Sequence, residues 1–341
     1  MKTTRSPRTS LSEALAHIAP KAIATALQRK LGFGNSFTPA GERGRQQRTR
    51  YGALRISDVA YGSRFPNSYL DVYVTDADTT TVRPTYVFVH GGGFIIGSKA
   101  SGDPSAGPVG DFEVICRPML DAGFNVVSVG YALAPEHCYP TPVLQLSEAV
   151  SFLQREGGAY GIDMSRVVLA GISAGGQIVG QFVNIETNSG YARAIGLEPV
   201  MTGTLLAVVL DSAALDVERI GRPQAPAPRQ SYLFALARRV YLGSRRAVWA
   251  EADVTAHVSR HFPPTFLADG NAGSFPDQAR DLHERLNGLD VCNELHLPQA
   301  QGPVEHGFMQ SPSPLTDEYN QQKVRFLTAR LSTNPVGTEK E

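Results

Sequence analysis

The chain carries two spacings of hydrophobic residues. Over 53–61 and 69–75 apolar and polar side chains alternate, as half-buried strands require, and GSRFPNS between them supplies turn residues. These two segments are predicted to pair antiparallel at a sheet edge. Denser apolar runs follow at 86–89, 124–129, 167–170, 205–210, 265–268 and 291–297. Runs of this kind, rich in β-branched residues, fit strands covered on both faces. Between most of them, residues 113–122, 143–156, 175–188, 277–288 and 316–332 read as helices. Strands alternating with helices predict an α/β fold with a mostly parallel sheet between helical layers.

Two regions stand outside this alternation. Near the start, Leu11, Leu15, Ile18, Ile23, Leu27 and Leu31 recur at roughly helical spacing, with Pro20 interrupting. One kinked or two short amphipathic helices are predicted there, after about ten frayed residues. Lys and Arg are not massed on one face, so packing onto the main domain is expected rather than lying on a membrane. Residues 34–50, GNSFTPAGERGRQQRTR, read as a mobile polar connector. Later, 217–260 follow a strand and contain SYLFALARRVYLGSRRAVWAEA, which is helical in pattern and too long for a simple crossover. That segment is predicted to be an insertion over the end of the sheet.

Composition narrows the function classes. Lys+Arg and Asp+Glu both number 32, so the formal net charge is zero. A nucleic-acid binder that tracks phosphates would need a basic surplus. Hydrophobic residues make up 42%, enough for a core in 341 residues and too many for wholesale disorder. The three cysteines, Cys116, Cys138 and Cys292, form no CxxC pair, which argues against structural zinc and a disulfide framework. No stretch has the length of a membrane span, and the basic N-terminal segment lacks the continuous apolar run of a secretory signal. A cytoplasmic protein without nucleic-acid partner or stable membrane insertion is expected.

The candidate chemistry sits directly after two of the predicted strands. Gly171-Ile172-Ser173-Ala174-Gly175 has the form G-x-S-x-G between strand 167–170 and the helix near 175. A turn this tight forces its central residue into a strained conformation, and small neighbours let the chain close. It would present the Ser173 hydroxyl at the carboxyl end of the sheet, with the Ala174 amide and the positive helix end pointing into the same space. An ordinary turn that contains a serine is the plain alternative. His90-Gly91-Gly92-Gly93-Phe94 follows strand 86–89. Bare backbone there can present successive amides to an anion. The phosphate-binding patterns G-x-x-x-x-G-K-[ST] and G-x-G-x-x-G are absent. Gly92 and Gly93, together with Ala174, are therefore read as oxyanion donors, Gly91 as the less favoured glycine, and His90 as a residue that holds the loop. His306 lies in a glycine-containing loop beyond the last predicted strand, where an imidazole can swing between a serine and a leaving group.

The HGGG motif, then Tyr131-Ala132-Leu133-Ala134-Pro135-Glu136-His137, GISAGG and Glu305-His306-Gly307-Phe308 stand in one order along the chain. In that order they resemble the hormone-sensitive-lipase-like (family IV) branch of the α/β-hydrolases, which comprises bacterial carboxylesterases and related lipases. The resemblance runs from about residue 69 to 328. It implies an α/β-hydrolase fold: a mostly parallel eight-stranded sheet, helices on both faces and a helical cap. Residues 1–45 and 217–260 would form the cap, 46–216 and 261–333 the core, and 334–341 a polar tail. It also implies a catalytic triad. The acid departs from the family pattern, because the usual position falls on Gly273. Asp277 is the first choice. Asp269, Asp211, Asp216 and an uncharged Asn271 stay open, and Asp277 has an alternative role as a carboxylate at a helix N-terminus. Ile172 stands where the family usually has an acidic residue, and Gln177 where Asn is common, which marks a divergent subgroup.

These residues predict a serine hydrolase that cleaves a small-molecule ester through an acyl-enzyme, with no metal or organic cofactor. Phe94, near the cap aromatics Tyr232, Phe234, Tyr241 and Trp249 in this reading, is the candidate substrate-binding residue, although these rings can equally pack the cap. A homodimer is compatible with the resemblance and required by nothing in the sequence. Two other readings use the same residues: hydrolysis of amides or of acylated sugars and metabolites, or a non-catalytic ligand-binding protein of this fold. The missing acid favours the last of these, and the presence of Ser173, His306 and the glycine loop counts against it.

Overall fold

The structure, a computed structural model, describes residues 17–39, 42–75, 82–104, 112–222 and 228–331. Its strands are β1 (Arg45–Arg48), β2 (Leu54–Ala60), β3 (Tyr69–Val74), β4 (Pro84–Val89), β5 (Asn125–Val129), β6 (Asp163–Ile172), β7 (Thr204–Asp211), β8 (Thr265–Ala268) and β9 (Asn293–His296). They form one nine-stranded sheet in the order β1-β2-β3-β5-β4-β6-β7-β8-β9. The pairs β1–β2, β2–β3 and β3–β5 are antiparallel, and the rest are parallel. The sheet thus has nine strands rather than the expected eight, and β2–β3 is not its edge. The extra strand lies in the predicted connector. Its sequence RQQR is exposed throughout and has no apolar residue, so no hydrophobic pattern marks it. Backbone pairing with β2, from Arg45↔Ser57 to Arg48↔Leu54, defines it instead.

Side chains along the central strands alternate between two cores. Tyr86, Phe88, Val126, Val168, Val209 and Phe266 face one side, under α2 (Phe112–Asp121) and α10 (Pro314–Leu331). Val87, Val127, Leu169, Leu210 and Leu267 face the other, under α3 (Thr141–Glu156), α4 (Ala174–Thr187) and α9 (Pro276–Asn287), with α5 (Ser189–Ile195) following α4. The connection from β4 through α2 to β5 runs one way along the sheet. The connections through α3 and α4 run the other way. Right-handed crossovers in opposite directions put their helices on opposite faces, and the crevice opens at the carboxyl ends of the strands where the direction reverses.

Helix α1 (Pro20–Leu31) starts at Pro20, whose missing N–H suits a first turn, so the proline opens a helix rather than kinking one. Ile23 and Leu27 pack on the core, Ile18 and Leu31 are exposed, and Leu11 and Leu15 lie outside the described residues. The segment after β7 contains α6 (Pro228–Leu242), α7 (Arg246–Ala252) and α8 (Val254–His257), and α1 packs against α6. Among the described residues no helix is long and apolar enough to cross a membrane.

A buried charge pair lies behind the sheet ends. Asp211 Oδ2 accepts from Tyr319 OH at 2.6 Å, and Lys323 Nζ sits 4.5 Å from the Tyr319 ring centroid. Burial pushes Lys323 down to about 8, against the attraction of Asp211, and pushes Asp211 up to about 6. The folded chain releases the Lys323 proton near pH 8, whereas the unfolded chain keeps it until near 10.5. Stability from this residue should therefore rise with pH across that window. In urea titrations, wild type should gain about 2 kcal/mol relative to Lys323→Met between pH 8 and 10. Parallel pH dependence in the two proteins would contradict this account.

Candidate active site

Strand β6 ends at Ile172 and α4 begins at Ala174, so Ser173 alone turns the chain. It does so at φ 56° and ψ −116°, a strained backbone for a residue with a side chain. The turn closes only around small neighbours. A Cβ on Gly171 would lie 2.3 Å from Gly175 O, and one on Gly175 would lie 2.1 Å from Val89 O. Ser173 N donates to Asp211 O at 2.8 Å, which fixes the turn to the end of β7.

His306 arrives from the loop after β9. Asn271 and Ala272 donate their backbone N–H to Val304 O at 2.8 and 3.0 Å, and Asn271 Oδ1 accepts from Val304 N at 2.8 Å. Asn271 therefore fastens the histidine loop and is not the ring's partner. His306 Nε2 lies 3.0 Å from Ser173 Oγ. On the other edge of the ring, Nδ1 meets Ser274 Oγ at 2.7 Å, and that same oxygen lies 2.5 Å from Asp269 Oδ1. Gly270 N donates to Asp269 Oδ1 at 2.7 Å and Phe275 N to Oδ2 at 3.0 Å. Burial pushes the Asp269 carboxyl above its ordinary range, opposed by His306 and by hydrogen bonding to Ser274, Ser212 and the Gly270 N–H. A second carboxylate, Asp103, places Oδ2 3.1 Å from His306 Nε2.

Asp277 is not brought to His306. Helix α9 starts at Pro276, so Asp277 occupies its first turn, where Oδ2 accepts from Arg219 Nη1 at 2.9 Å. The same guanidinium binds Asp216 at 2.6 Å and Asp281 at 2.5 Å, which accounts for Asp216 as well. Asp211 is taken by Tyr319. Among the sequence candidates for the acid, Asp269 is the one that approaches His306, and it does so through a serine. Ser274 and Asp103 escaped the sequence reading altogether. Ser274 adjoins Gly273, where the family's acid would stand, and Asp103 lies in the loop that follows the three glycines.

The glycine loop is held from several sides. Gly91 N donates to Gly102 O at 2.9 Å, whereas the Gly92, Gly93 and Ala174 N–H groups have no acceptor among the described residues. Gly92 takes φ 97°, and a Cβ there would lie 2.0 Å from Ile96 O. Further along, Lys99 pairs with Asp58 at 2.6 Å and Asp71 at 2.7 Å, tying the loop to β2 and β3. Gln310 binds both the N–H and the carbonyl of Asp103. His90 stacks on Tyr131 with centroids 4.1 Å apart and bonds Gly91 O through Nδ1. Burial pushes it down to about 4, so it is a neutral part of the loop's support.

Phe94 is 1% exposed and stacks on Tyr241 of α6 with centroids 3.8 Å apart. It joins the glycine loop to the helices above rather than presenting an open surface. Trp249 donates to Gly243 O and lies under Arg238 and Arg246, and Tyr232 packs on the core. Phe234 and Phe275 set their rings 5.1 and 5.5 Å from the His306 ring. Ser173 is 3% and His306 2% exposed, so both side chains are buried, with aromatic rings from α6 and from the start of α9 beside the imidazole. Among the described residues no group of three or more His, Cys, Asp or Glu side chains is placed to hold a metal ion.

Similarity to known proteins falls on this same region. The profile of a family described as having an alpha/beta hydrolase fold matches residues 86–310. Esterase LipI of Mycobacterium tuberculosis is 36% identical over 271 residues, 75% of this chain and 75% of LipI. Esterase LipC of the same organism is 27% identical over 257 residues, 73% of this chain and 59% of LipC, so the match spans less than two thirds of that protein. Esterase B from Lactobacillus Rhamnosis superposes with a TM-score of 0.71 at 21% identity, covering 94% of this chain and 96% of that one, a likeness of fold.

The placement of Asp277 has a direct test. A half-buried ion pair at a helix end is worth about 1 kcal/mol or less, and Asp277→Asn should lower stability by no more than that. The rate at which a fluorophosphonate labels Ser173 should stay within about twofold. Loss of labelling in a folded Asp277→Asn protein would return Asp277 to the site.

Proposed function

The chain belongs to the α/β-hydrolase family, and on that footing we propose that it is a serine carboxylesterase working through an acyl-enzyme on Ser173. The observation that carries this reading is the 3.0 Å contact from Ser173 Oγ to His306 Nε2, made by a serine held on a strained turn. As Ser173 Oγ attacks the ester carbonyl carbon, its proton passes to Nε2. The carbonyl oxygen becomes an oxyanion and accepts from the Gly92, Gly93 and Ala174 N–H groups, which have no acceptor among the described residues. The positive end of α4 adds to that field.

Asp103 acts on the same proton. While Nε2 is bare, an ionised Asp103 faces a lone pair at 3.1 Å; once the proton arrives, the contact becomes a charge-assisted hydrogen bond. Asp103 therefore favours the imidazolium that forms in the transition state over the resting ring. Collapse of the tetrahedral intermediate breaks the carbon–alkoxy bond, and Nε2–H protonates the departing alkoxide. Water then adds to the acyl carbon, giving its proton to Nε2; collapse breaks the bond from Ser173 Oγ to the acyl carbon, Nε2–H returns the proton to Oγ, and the carboxylic acid leaves.

Esters are favoured over amides because the extended relatives bear the name esterase. The Phe234 and Phe275 rings crowd the His306 imidazole at 5.1 and 5.5 Å, which favours a short acyl group. Purified protein should cleave p-nitrophenyl acetate and butyrate, and the matched p-nitroanilides much more slowly. Ser173→Ala should lose about 10⁴-fold or more in kcat, together with all fluorophosphonate labelling. Turnover that survives in Ser173→Ala, or a folded wild type inert to both ester and fluorophosphonate, would overturn the reading.

A further inference from the structure

We propose that Ser274 is a positioning residue inserted between His306 and its carboxylate, so that the site runs on a relay Ser173–His306–Ser274–Asp269 instead of a direct histidine–acid contact. This rests on the esterase reading of Ser173 and His306. Ser274 is fully buried and Asp269 is 1% exposed, so neither has water to turn to. Ser274 Oγ lies 2.7 Å from Nδ1 and 2.5 Å from Asp269 Oδ1.

A hydroxyl has one proton, and an ionised carboxylate can only accept. The Ser274 proton therefore points at Asp269, and an Oγ lone pair is left for Nδ1. Nδ1 must then carry hydrogen, and Nε2 keeps its lone pair toward Ser173, which is the tautomer a general base needs. Asp269 thus selects the tautomer without touching the ring. When the proton of Ser173 arrives on Nε2, Nδ1–H still donates to Ser274 and Ser274 still donates to Asp269. No proton crosses the relay, and Asp269 stays ionised, held also by Gly270 N and Phe275 N.

The backbone shows why the carboxylate comes from elsewhere. Gly273 has φ 58°, which side-chain-bearing residues rarely adopt. The carboxylate comes instead from the residue after β8, and a hydroxyl spans the remaining gap.

The test compares Ser274→Ala, Ser274→Thr, Asp269→Asn and the double variant Ser274→Ala/Asp269→Asn in the full chain, with thermal melts as the control for folding. On p-nitrophenyl butyrate, Ser274→Ala and Asp269→Asn should each lower kcat by about 10²- to 10⁴-fold, as expected when the ring loses its tautomer. KM should change by no more than about threefold. Ser274→Thr should recover most of the loss, and the double variant should be no slower than the worse single one, because both changes cut the same relay. A low-field proton resonance from Nδ1–H should be present in wild type and absent in Ser274→Ala. That signal needs no ester turnover, so an inert wild type that shows it would sink the esterase reading and leave the relay standing. The relay is overturned if folded Ser274→Ala keeps its kcat within about threefold, if the losses multiply in the double variant, or if the resonance is unaffected.

Discussion

The carboxyl ends of β4 and β6 approach so closely that α4 can begin only if Gly175 carries no side chain, since a Cβ would overlap the Val89 carbonyl. That contact sets the rest of the site. It leaves one residue, Ser173, to turn the chain, and it brings the glycine loop that leaves β4 beside the start of α4. The neighbouring strand end of β7 accepts the Ser173 N–H, and β8 ends beside it at Ala268, one residue before Asp269. The serine, the glycine-loop amides and the carboxylate thus come from the ends of β6, β4 and β8, with β7 anchoring the serine between them, and the parallel sheet fixes their spacing.

Burial gives these groups their strength. Removing carboxylates from water is expensive unless each is hydrogen-bonded or paired. Asp269 meets that demand with two backbone N–H groups and the Ser274 hydroxyl. Asp71 meets it with Lys99, Arg55 and the Asp58 N–H, and so anchors the far side of the glycine loop to the antiparallel strands. Charges so satisfied hold loops in one arrangement, and burial makes each hydrogen bond among them stronger than it would be in water.

The burial comes from segments distant in the chain. Gln28 of α1 donates to Ile95 O and Ala134 O, linking the N-terminal helix to the glycine loop. Helix α6 lays Tyr241 on Phe94 and Phe234 beside His306. The aromatic rings around the site are thus both packing and wall.

What local chemistry controls can be read along the chain. Alternating and continuous apolar runs mark the strands because a strand's faces are set by its own side chains, and the helices between them follow in the same way. Ser173 and the glycine loop are legible because a tight turn and a close backbone approach demand small residues next to each other in the chain. A histidine in a glycine-containing loop beyond the last strand is legible too, and His306 Nε2 lies 3.0 Å from Ser173 Oγ. Strand β1 was not legible, since RQQR is held only by backbone pairing that leaves no mark on side-chain polarity. The carboxylate beside the histidine was decided by tertiary structure alone. Asp277 and Asp269 lie in one short stretch, but the start of α9 turns the first toward Arg219, while the end of β8 and an interposed hydroxyl bring the second to the ring. Asp103 reaches the same imidazole because its loop folds back and is pinned by Gln310. Such contacts join side chains from separate loops, and their distances depend on where the sheet leaves each loop.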